Sequence, residues 1–311
     1  MTNVHTVRPT DLAALVGYDG EVYPNESVTR DRVGTETAPH PLQASFEQWF
    51  SFATGRHTWI SVKGATLRGL VSARRRGAKS AWELDTLVDA APDDQGVVLS
   101  LLDQVAADAG REGAEKIFLR VPAGSGLLRA GRSAGFVPYL SERLLVASER
   151  RGEGDGQAKL GLRRWTRADA YATFQLYNRW TPEPVRRIEA ATFREWSASR
   201  ERIARRGAHQ TIVEDGGRIA GWLRTAASGE VGRFDLMADS LVPELLDGLI
   251  DAALARLREQ SRLVALVPEF ATGLRERLER AGFASEGEYA VLARRIAKPA
   301  AAPELAPVTS I

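Results

Sequence analysis

The stretch WELDTLVDAAPDDQGVVLSLL, residues 82–102, decides the fold because a strand, a polar turn and a helix start follow one another in it. Its first six residues alternate with period 2 and mostly favour β structure, which predicts a strand. The alternating sets are Trp82, Leu84, Thr86 and Glu83, Asp85, Leu87. Residues 91–96 break this pattern, and an apolar face returns at helical spacing. That face holds Val98, Leu101, Leu102, Val105 and Ala109. Free backbone N–H groups at such a helix start commonly bind phosphate groups.

The composition is that of an ordinary globular protein, and it argues against several classes of function. The 311 residues are enough for two domains, and the net charge of +2 is too small to indicate a nucleic-acid partner. No cysteine is present, which excludes disulfides, thiol nucleophiles and cysteine metal sites. The four histidines are scattered singly, so we predict no metal site. The chain has neither a signal-like start nor an apolar run of about 18 residues, so we expect a cytoplasmic protein without membrane partners.

Four short motifs recur in the same order at nearly constant spacing, which indicates an internal repeat. Residues 69–71, 84–87, 121–122 and 134–136 (GLV, LDTL, VP, AGF) return as 221–223, 234–237, 267–268 and 281–283 (GWL, FDLM, VP, AGF). We therefore interpret the chain as two copies of one domain. The predicted bounds are 1–147 for the N-terminal domain, 148–159 for a Gly-rich linker, 160–296 for the C-terminal domain and 297–311 for a disordered tail.

Both copies have the same predicted order of elements, with helices before the sheet, a strand meander, and then helices alternating with strands. In the first copy we predict a strand at 5–8, helices at 10–18 and 46–53, strands at 58–63, 66–74 and 81–88, a helix at 94–109, a strand at 116–121, a helix at 126–134 and strands within 136–148. In the second we predict a strand at 160–165, helices at 168–180 and 193–205, strands at 210–214, 218–225 and 231–237, a helix at 243–257, a strand at 263–267, a helix at 273–281 and strands up to 295. The mixture indicates an α+β fold in which each half has a mixed, mostly antiparallel sheet flanked by helices. One continuous sheet, or halves that do not superimpose, would contradict the interpretation of the chain as a duplicated domain.

This order resembles the GNAT N-acetyltransferase superfamily, and the doubled length resembles tandem GNAT proteins. The resemblance rests on the strand, turn and helix at 82–102, the Val-Pro strand end and the Ala-Gly-Phe motif, together with their second copies. It implies an acyl-CoA donor, acetyl-CoA or another, and a small-molecule amine acceptor. It also implies that the loops 23–26 and 180–183 (YPNE and WTPE) line the amine groove, and the alternative is that these loops pack onto their own domain or between the two domains.

The pyrophosphate loop of that family departs from its pattern in both copies. The family places Arg or Gln, then two small residues, at positions that are Asp93, Gly96 and Val98 in the first copy. The second copy has Leu241, Glu244 and Leu246 there. An aspartate repels a diphosphate at short range, and bulky residues keep the ligand away from the helix start. The tyrosine that many members use as an acid is Gly131 in the first copy and Leu278 in the second.

The candidate site residues follow from the resemblance and from the turn. For proton transfer we single out three strand carboxylates, Asp85, Glu83 and Asp235, with the ordinary outward-facing strand residue as the alternative. For the cofactor we single out the turn and helix start, which contain Asp94, Gln95, Gly96, Val97 and Val98.

Two functions of different classes remain open from the sequence. The first is an acyl-CoA-dependent N-acyltransferase with a divergent site in the N-terminal half, in which an amine attacks the thioester and a strand carboxylate takes the proton. The second is a catalytically inactive binding or assembly module that does not bind acyl-CoA. The sequence makes no prediction of the oligomeric state.

Overall fold

A computed structural model describes residues 3–6, 23–34, 56–64, 66–148, 160–203 and 207–297. Within these ranges, the strands are β1 (Asn3–Thr6), β2 (Arg56–Lys63), β3 (Thr66–Arg75), β4 (Ala81–Asp89), β5 (Lys116–Pro122), β6 (Val137–Ala147), β7 (Arg163–Arg164), β8 (His209–Asp215), β9 (Arg218–Ser228), β10 (Val231–Ala238), β11 (Arg262–Pro268) and β12 (Ala284–Arg295). The helices are α1 (Gln95–Arg111), α2 (Leu127–Ser133), α3 (Ala170–Trp180), α4 (Glu183–Glu189), α5 (Phe193–Ser199), α6 (Leu245–Arg256) and α7 (Thr272–Arg280).

The strands form one twelve-stranded sheet whose order is symmetric about its centre. The order is β1-β2-β3-β4-β5-β12-β6-β11-β10-β9-β8-β7. Only β4–β5 and β10–β11 pair in parallel, and the other pairs are antiparallel. The predicted α+β class with a mixed, mostly antiparallel sheet flanked by helices is therefore confirmed.

The two halves exchange their last strands at the centre of this sheet. The strand β12, from the end of the chain, pairs with β5 of the first half, from Tyr289 opposite Pro122 to Arg295 opposite Lys116. The strand β6, from the first half, pairs with β11 of the second. This exchange explains why one continuous sheet is found where the sequence suggested a separate sheet in each half. The predicted domain bounds stay a prediction, since each half lends a strand to the other.

Alternating residues of β5 show how the sheet is covered on both faces. Ile117, Leu119 and Val121 belong to the core that β2–β5 form with α1 and α2. Phe118 points to the other face, where it clusters with Ala198 from α5. A second core joins α6 and α7 to β9, β10 and β11. Period-2 burial on both faces fits a strand enclosed by helices on each side.

Local periodicity predicted most elements to within a few residues, with three differences. The predicted helices at 10–18 and 46–53 and nearly all of the linker and tail lie outside the described residues. The predicted helix at 193–205 ends earlier, at Ser199, and a single long strand, β6, stands where several short ones were expected. The helix α4 was not predicted.

Candidate functional site

Each half of the sheet contains a place where two parallel strands pair briefly and then separate. The strands β4 and β5 pair over three residues, ending at Glu83 opposite Phe118. The strands β10 and β11 also pair over three residues, ending at Arg233 opposite Val264. Beyond these points each half has a cleft between the strands, which we call the N-terminal cleft and the C-terminal cleft.

The chain itself fills the N-terminal cleft with residues 25–28, here called the plug. The backbone N–H of Glu26 donates to Leu87 O at 2.9 Å on the β4 side, and the N–H of Val28 donates to Arg120 O at 2.9 Å on the β5 side. The Asn25 side-chain oxygen accepts from Leu87 N at 2.8 Å. The plug therefore takes the place of a strand between β4 and β5 and uses the backbone groups that a ligand would need.

The turn before α1 is closed by the side chain of Asp94. Its Oδ1 accepts from Gly96 N at 3.2 Å, and its Oδ2 pairs with Arg68 at 2.9 Å. Of the predicted cofactor residues, Asp94, Gln95 and Gly96 lie at this turn, whereas Val97 and Val98 are buried in the core beneath α1. The N–H of Gly96 is thus already bonded within the protein.

The predicted carboxylates of β4 are buried and held by arginines. Glu83 accepts from Arg74 Nε at 2.6 Å and from Arg76 Nε at 3.1 Å. Asp85 is 0% exposed and lies 2.5 Å from Arg56 Nη2. Neither residue faces solvent, and both are partnered by guanidinium groups. Structural ion pairs account for these two positions.

The C-terminal cleft, in contrast, opens into a cavity of about 170 Å³ beneath α3, α4 and α5. One water needs roughly 10–15 Å³ measured in the same way, so the cavity has room for a small molecule. Its aromatic lining consists of Tyr177, Trp180, Trp196, Trp222, Phe234 and Phe270. Among the described residues, only β9 hydrogen-bonds to the backbone of 234–237. No plug covers this edge of β10.

Asp235, predicted from the repeat, lines this cavity and is held by two arginines. Arg30 Nη1 lies 2.7 Å from its Oδ1, and Arg224 Nε lies 3.0 Å from its Oδ2. Burial would raise the pKa of the Asp235 carboxyl, but Arg30 and Arg224 outweigh it and hold the pKa below its usual range. Asp235 is therefore a weak proton acceptor.

Arg30 reaches the cavity from the segment that follows the plug. Besides Asp235, it pairs with Glu142 of β6. The second oxygen of Glu142 accepts from Arg120 Nε at 2.7 Å, and Arg120 also pairs with Glu201 at 2.8 Å. A buried network of arginines and carboxylates thus connects the N-terminal cleft to the floor of the cavity.

Glu189, the last residue of α4, is the cavity carboxyl with the environment best suited to proton transfer. Its Oε2 accepts from the hydroxyl of Tyr177 at 2.8 Å. Burial raises the pKa of the Glu189 carboxyl, and the hydrogen bond from Tyr177 offsets only part of that rise. A carboxyl with a raised pKa accepts protons near neutral pH more readily than one held by arginines.

Glu189 is not among the candidate residues for proton transfer that the sequence indicates, although a local signal for its helix exists. Pro182 and Pro184 stand at the start of α4, Glu183 lies in the first turn, and Arg186 and Arg187 lie in the last. Proline at a helix start, an acid in the first turn and bases in the last are a recognised combination. The loop 180–183 does reach the cavity through Trp180 and Thr181.

The turn before α6 offers no open phosphate cradle. The N–H of Leu241 donates to Asp239 Oδ1 at 3.1 Å, and the N–H of Val242 donates to Asp239 O at 3.0 Å. The buried Asp239 carboxylate in turn pairs with Arg179 at 2.7 Å. An aspartate therefore closes the turn in both halves.

Neither a metal site nor a membrane-spanning helix is found among the described residues. The described residues contain no group of three or more acidic or histidine side chains placed to hold a metal ion. Their helices are also too short or too polar for any of them to cross a membrane. The cytoplasmic location and the absence of nucleic-acid partners stay predictions.

Comparison with known proteins identifies the fold. No protein-family model and no curated protein matches the sequence. A GCN5-related N-acetyltransferase from Sphaerobacter thermophilus matches the structure over 96% of each chain, with a TM-score of 0.53 and 14% identity. A putative acetyltransferase from Pyrococcus horikoshii matches over 96% of this chain and 90% of its own, with a TM-score of 0.51 and 14% identity.

A tandem GNAT protein from the clavulanic acid biosynthesis pathway also matches. The match covers 96% of this chain and all of the other, with a TM-score of 0.50 and 12% identity. At such identities the likeness shows the fold alone. The chain has the tandem GNAT fold, and the resemblance expected from the sequence is confirmed at that level.

Proposed function

We propose that the chain is an acyltransferase that transfers an acyl group from acyl-CoA to a small amine in the C-terminal cleft. The observation that carries the proposal is the uncovered edge of β10 at 234–237, which opens into a cavity, while the matching edge of β4 is covered by the plug. The GNAT fold supports the reaction class by analogy.

The fit of coenzyme A differs between the parts of the site. An acyl chain and its thiol arm fit an uncovered strand edge, because a strand edge offers unpaired N–H and C=O groups. The diphosphate does not fit the turn before α6, because Asp239 already accepts from the N–H of Leu241 and adds negative charge. We therefore assign to this chain the recognition of the acyl end of the donor and not of its diphosphate.

In the proposed reaction, the amine nitrogen attacks the thioester carbonyl carbon. The new C–N bond forms, the C–S bond breaks so that coenzyme A leaves as its thiolate, and the proton lost by the attacking neutral amine passes to a carboxylate. Glu189 is the proposed acceptor, because its carboxyl has a raised pKa and no described arginine forms an ion pair with it. Asp235, which the sequence suggested for this role, is paired with Arg30 and Arg224 and is better suited to keeping the floor of the cavity ordered.

Titration of the full chain with acetyl-CoA by calorimetry tests the location of the site. Met237→Trp places a large ring in the C-terminal cavity and should abolish binding. Gly96→Glu, its matched control, adds bulk and charge at the turn of the N-terminal half and should leave binding unchanged. Loss of binding in Gly96→Glu but not in Met237→Trp would overturn the proposed location. Thermal melting of each variant confirms that it is folded.

A second function, a binding module that does not use acyl-CoA, is favoured by one observation. Aspartates close both turns at which a diphosphate would bind, Asp94 in the first half and Asp239 in the second. The same titration separates the two functions, because absence of any acyl-CoA binding by the wild-type chain supports the module and contradicts the acyltransferase.

A further inference from the structure

Two of the charged side chains that line the C-terminal cavity form no ion pair with any residue that the structure describes. Seven such side chains line it, namely Arg30, Glu142, Glu189, Arg200, Glu201, Arg224 and Asp235. Five of them belong to the buried network, in which Arg30 pairs with Glu142 and Asp235, Arg224 with Asp235, and Glu201 with Arg120. The two that remain are Glu189 and Arg200.

Arg200 is a guanidinium held in place without a carboxylate. Its Nη2 donates to Gln210 Oε1 at 2.7 Å. Its guanidinium carbon lies 5.1 Å from the centre of the Trp165 ring and 5.2 Å from that of Trp196. No described carboxylate forms an ion pair with it. Two aromatic faces and one amide therefore fix the group, and its other N–H donors have no described acceptor.

The environment of Arg200 favours a negatively charged partner. Burial, together with the nearby Arg224, lowers the pKa of its guanidinium to about 10. The group is still protonated at neutral pH, so the cavity wall carries a largely desolvated positive charge. Desolvated charges in proteins are normally paired, and guanidinium groups bind carboxylates through two parallel hydrogen bonds.

Glu189 presents the complementary situation. Its only described side-chain hydrogen bond comes from the hydroxyl of Tyr177, and no described lysine or arginine forms an ion pair with it. An ammonium group would supply the missing charge, and it releases one proton to solvent before its nitrogen, then neutral, attacks the thioester. The same cavity is also lined by aromatic rings, among them Trp180, Trp196 and Trp222.

We propose that the acceptor amine is a compact zwitterion, an amino acid with an apolar side chain, whose carboxylate binds Arg200 and whose amine lies at Glu189. This inference rests on the proposed function and names the substrate class of the same cavity. Arg200 is a positioning residue, since it holds the carboxylate and does not take part in acyl transfer. The rings contact the apolar side chain.

Matched probes that lack one charge each test the inference by binding alone. Calorimetry with the full chain compares L-phenylalanine with phenethylamine and 3-phenylpropionate, and L-leucine with 3-methylbutylamine and 4-methylpentanoate. We expect at least one amino acid to bind about tenfold or more tightly than both of its analogues, since each missing ion pair leaves a buried charge unpaired. Failure of both amino acids to bind, or equal binding by the amine analogues, overturns the inference.

Two substitutions assign the ends of the ligand. Arg200→Gln should remove the advantage of the amino acid over the amine analogue and leave the binding of that analogue unchanged. Arg200→Lys should restore part of the advantage, which a merely structural role would not predict. Glu189→Gln should reduce the advantage over the carboxylate analogue. Equal loss for all three compounds in Arg200→Gln would contradict the assignment.

A wrong zwitterion site and a wrong acyltransferase function can be told apart by experiment. An amino acid that binds but is never acylated, with acetyl-CoA present, contradicts the acyltransferase and leaves the zwitterion site standing. Acyl transfer to phenethylamine as fast as to L-phenylalanine contradicts the zwitterion site and leaves the acyltransferase standing. Release of the free thiol of coenzyme A measures the transfer.

Discussion

The N-terminal and C-terminal clefts start from the same arrangement and end differently. In each, two parallel strands pair over three residues and then separate. Residues 25–28 bridge the gap in the first, and a cavity of about 170 Å³ takes its place in the second. The sheet therefore supplies the cleft, and segments outside the sheet determine whether it can hold a ligand.

The segment that fills the N-terminal cleft also supplies a residue to the C-terminal cavity. The segment that begins as the plug continues to Arg30, which crosses to the C-terminal cavity and pairs with Glu142 and Asp235. The segment that fills the N-terminal cleft thus supplies a positive charge to the C-terminal cavity.

The largest expected effect is on the rate of acyl transfer. Glu189→Gln should lower kcat by about 10²–10⁴-fold, because the amide cannot take the proton of the amine. Donor binding should stay unchanged. Glu183→Gln, at the exposed start of the same helix, is the matched control and should retain full activity. A normal rate in Glu189→Gln would place the proton acceptor elsewhere.

The same residue predicts the sign of the pH dependence. Only the ionised carboxylate accepts a proton, and burial raises the pKa of Glu189. The rate should therefore fall as the pH drops through that raised pKa, and it should level off above it. The inflection should disappear from the residual activity of Glu189→Gln.

The next largest effect is on the free energy of unfolding and comes from Arg30, which connects the two clefts. Arg30→Met leaves two buried carboxylates, Glu142 and Asp235, with less compensation, so the free energy of unfolding should fall by about 3–5 kcal/mol. Arg68→Met removes a more exposed ion pair with Asp94 and should cost about 1 kcal/mol or less. Urea denaturation measures both. Equal costs would show that the connection has no special importance.

The smallest effect is on the plug. Asn25→Ala removes the acceptor for Leu87 N and should lower the free energy of unfolding by about 1–3 kcal/mol. Glu26→Ala keeps the backbone hydrogen bond of its residue and should change the stability by only about 0.5 kcal/mol. Both variants should still bind acetyl-CoA at a single site. A second binding site in Asn25→Ala would show that the N-terminal cleft is still able to bind it.

Local sequence patterns predicted the helices and strands. They could not predict how residues far apart in the sequence pair with one another. The periodicity of 82–102 predicted the strand β4 and the helix α1. The repeat identified Asp235 as a candidate, and this residue lines the cavity. The plug depends on contacts between residues 60 positions apart, such as Asn25 with the β4 backbone at Asp85, and no local pattern encodes them. The exchange of β6 and β12 has the same cause, because strand propensity does not specify a partner.

The site was harder to predict because its chemistry depends on burial and on neighbours. Asp85 and Asp235 occupy matching positions of the repeat, and only the structure shows that arginines pair with both. Glu189 lies in a seven-residue helix that is too short to show an apolar period. Its raised pKa comes from three-dimensional enclosure.

The exchanged strands have a consequence for how the protein is made. As the chain leaves the ribosome, the first half emerges with β5 lacking a neighbour on one side, because that neighbour is β12 at 284–295. The N-terminal half can complete its sheet only after residues 284–295 have been synthesised. If the two halves were produced as separate fragments, the first would lack β12 and the second would lack β6 at the centre of the sheet.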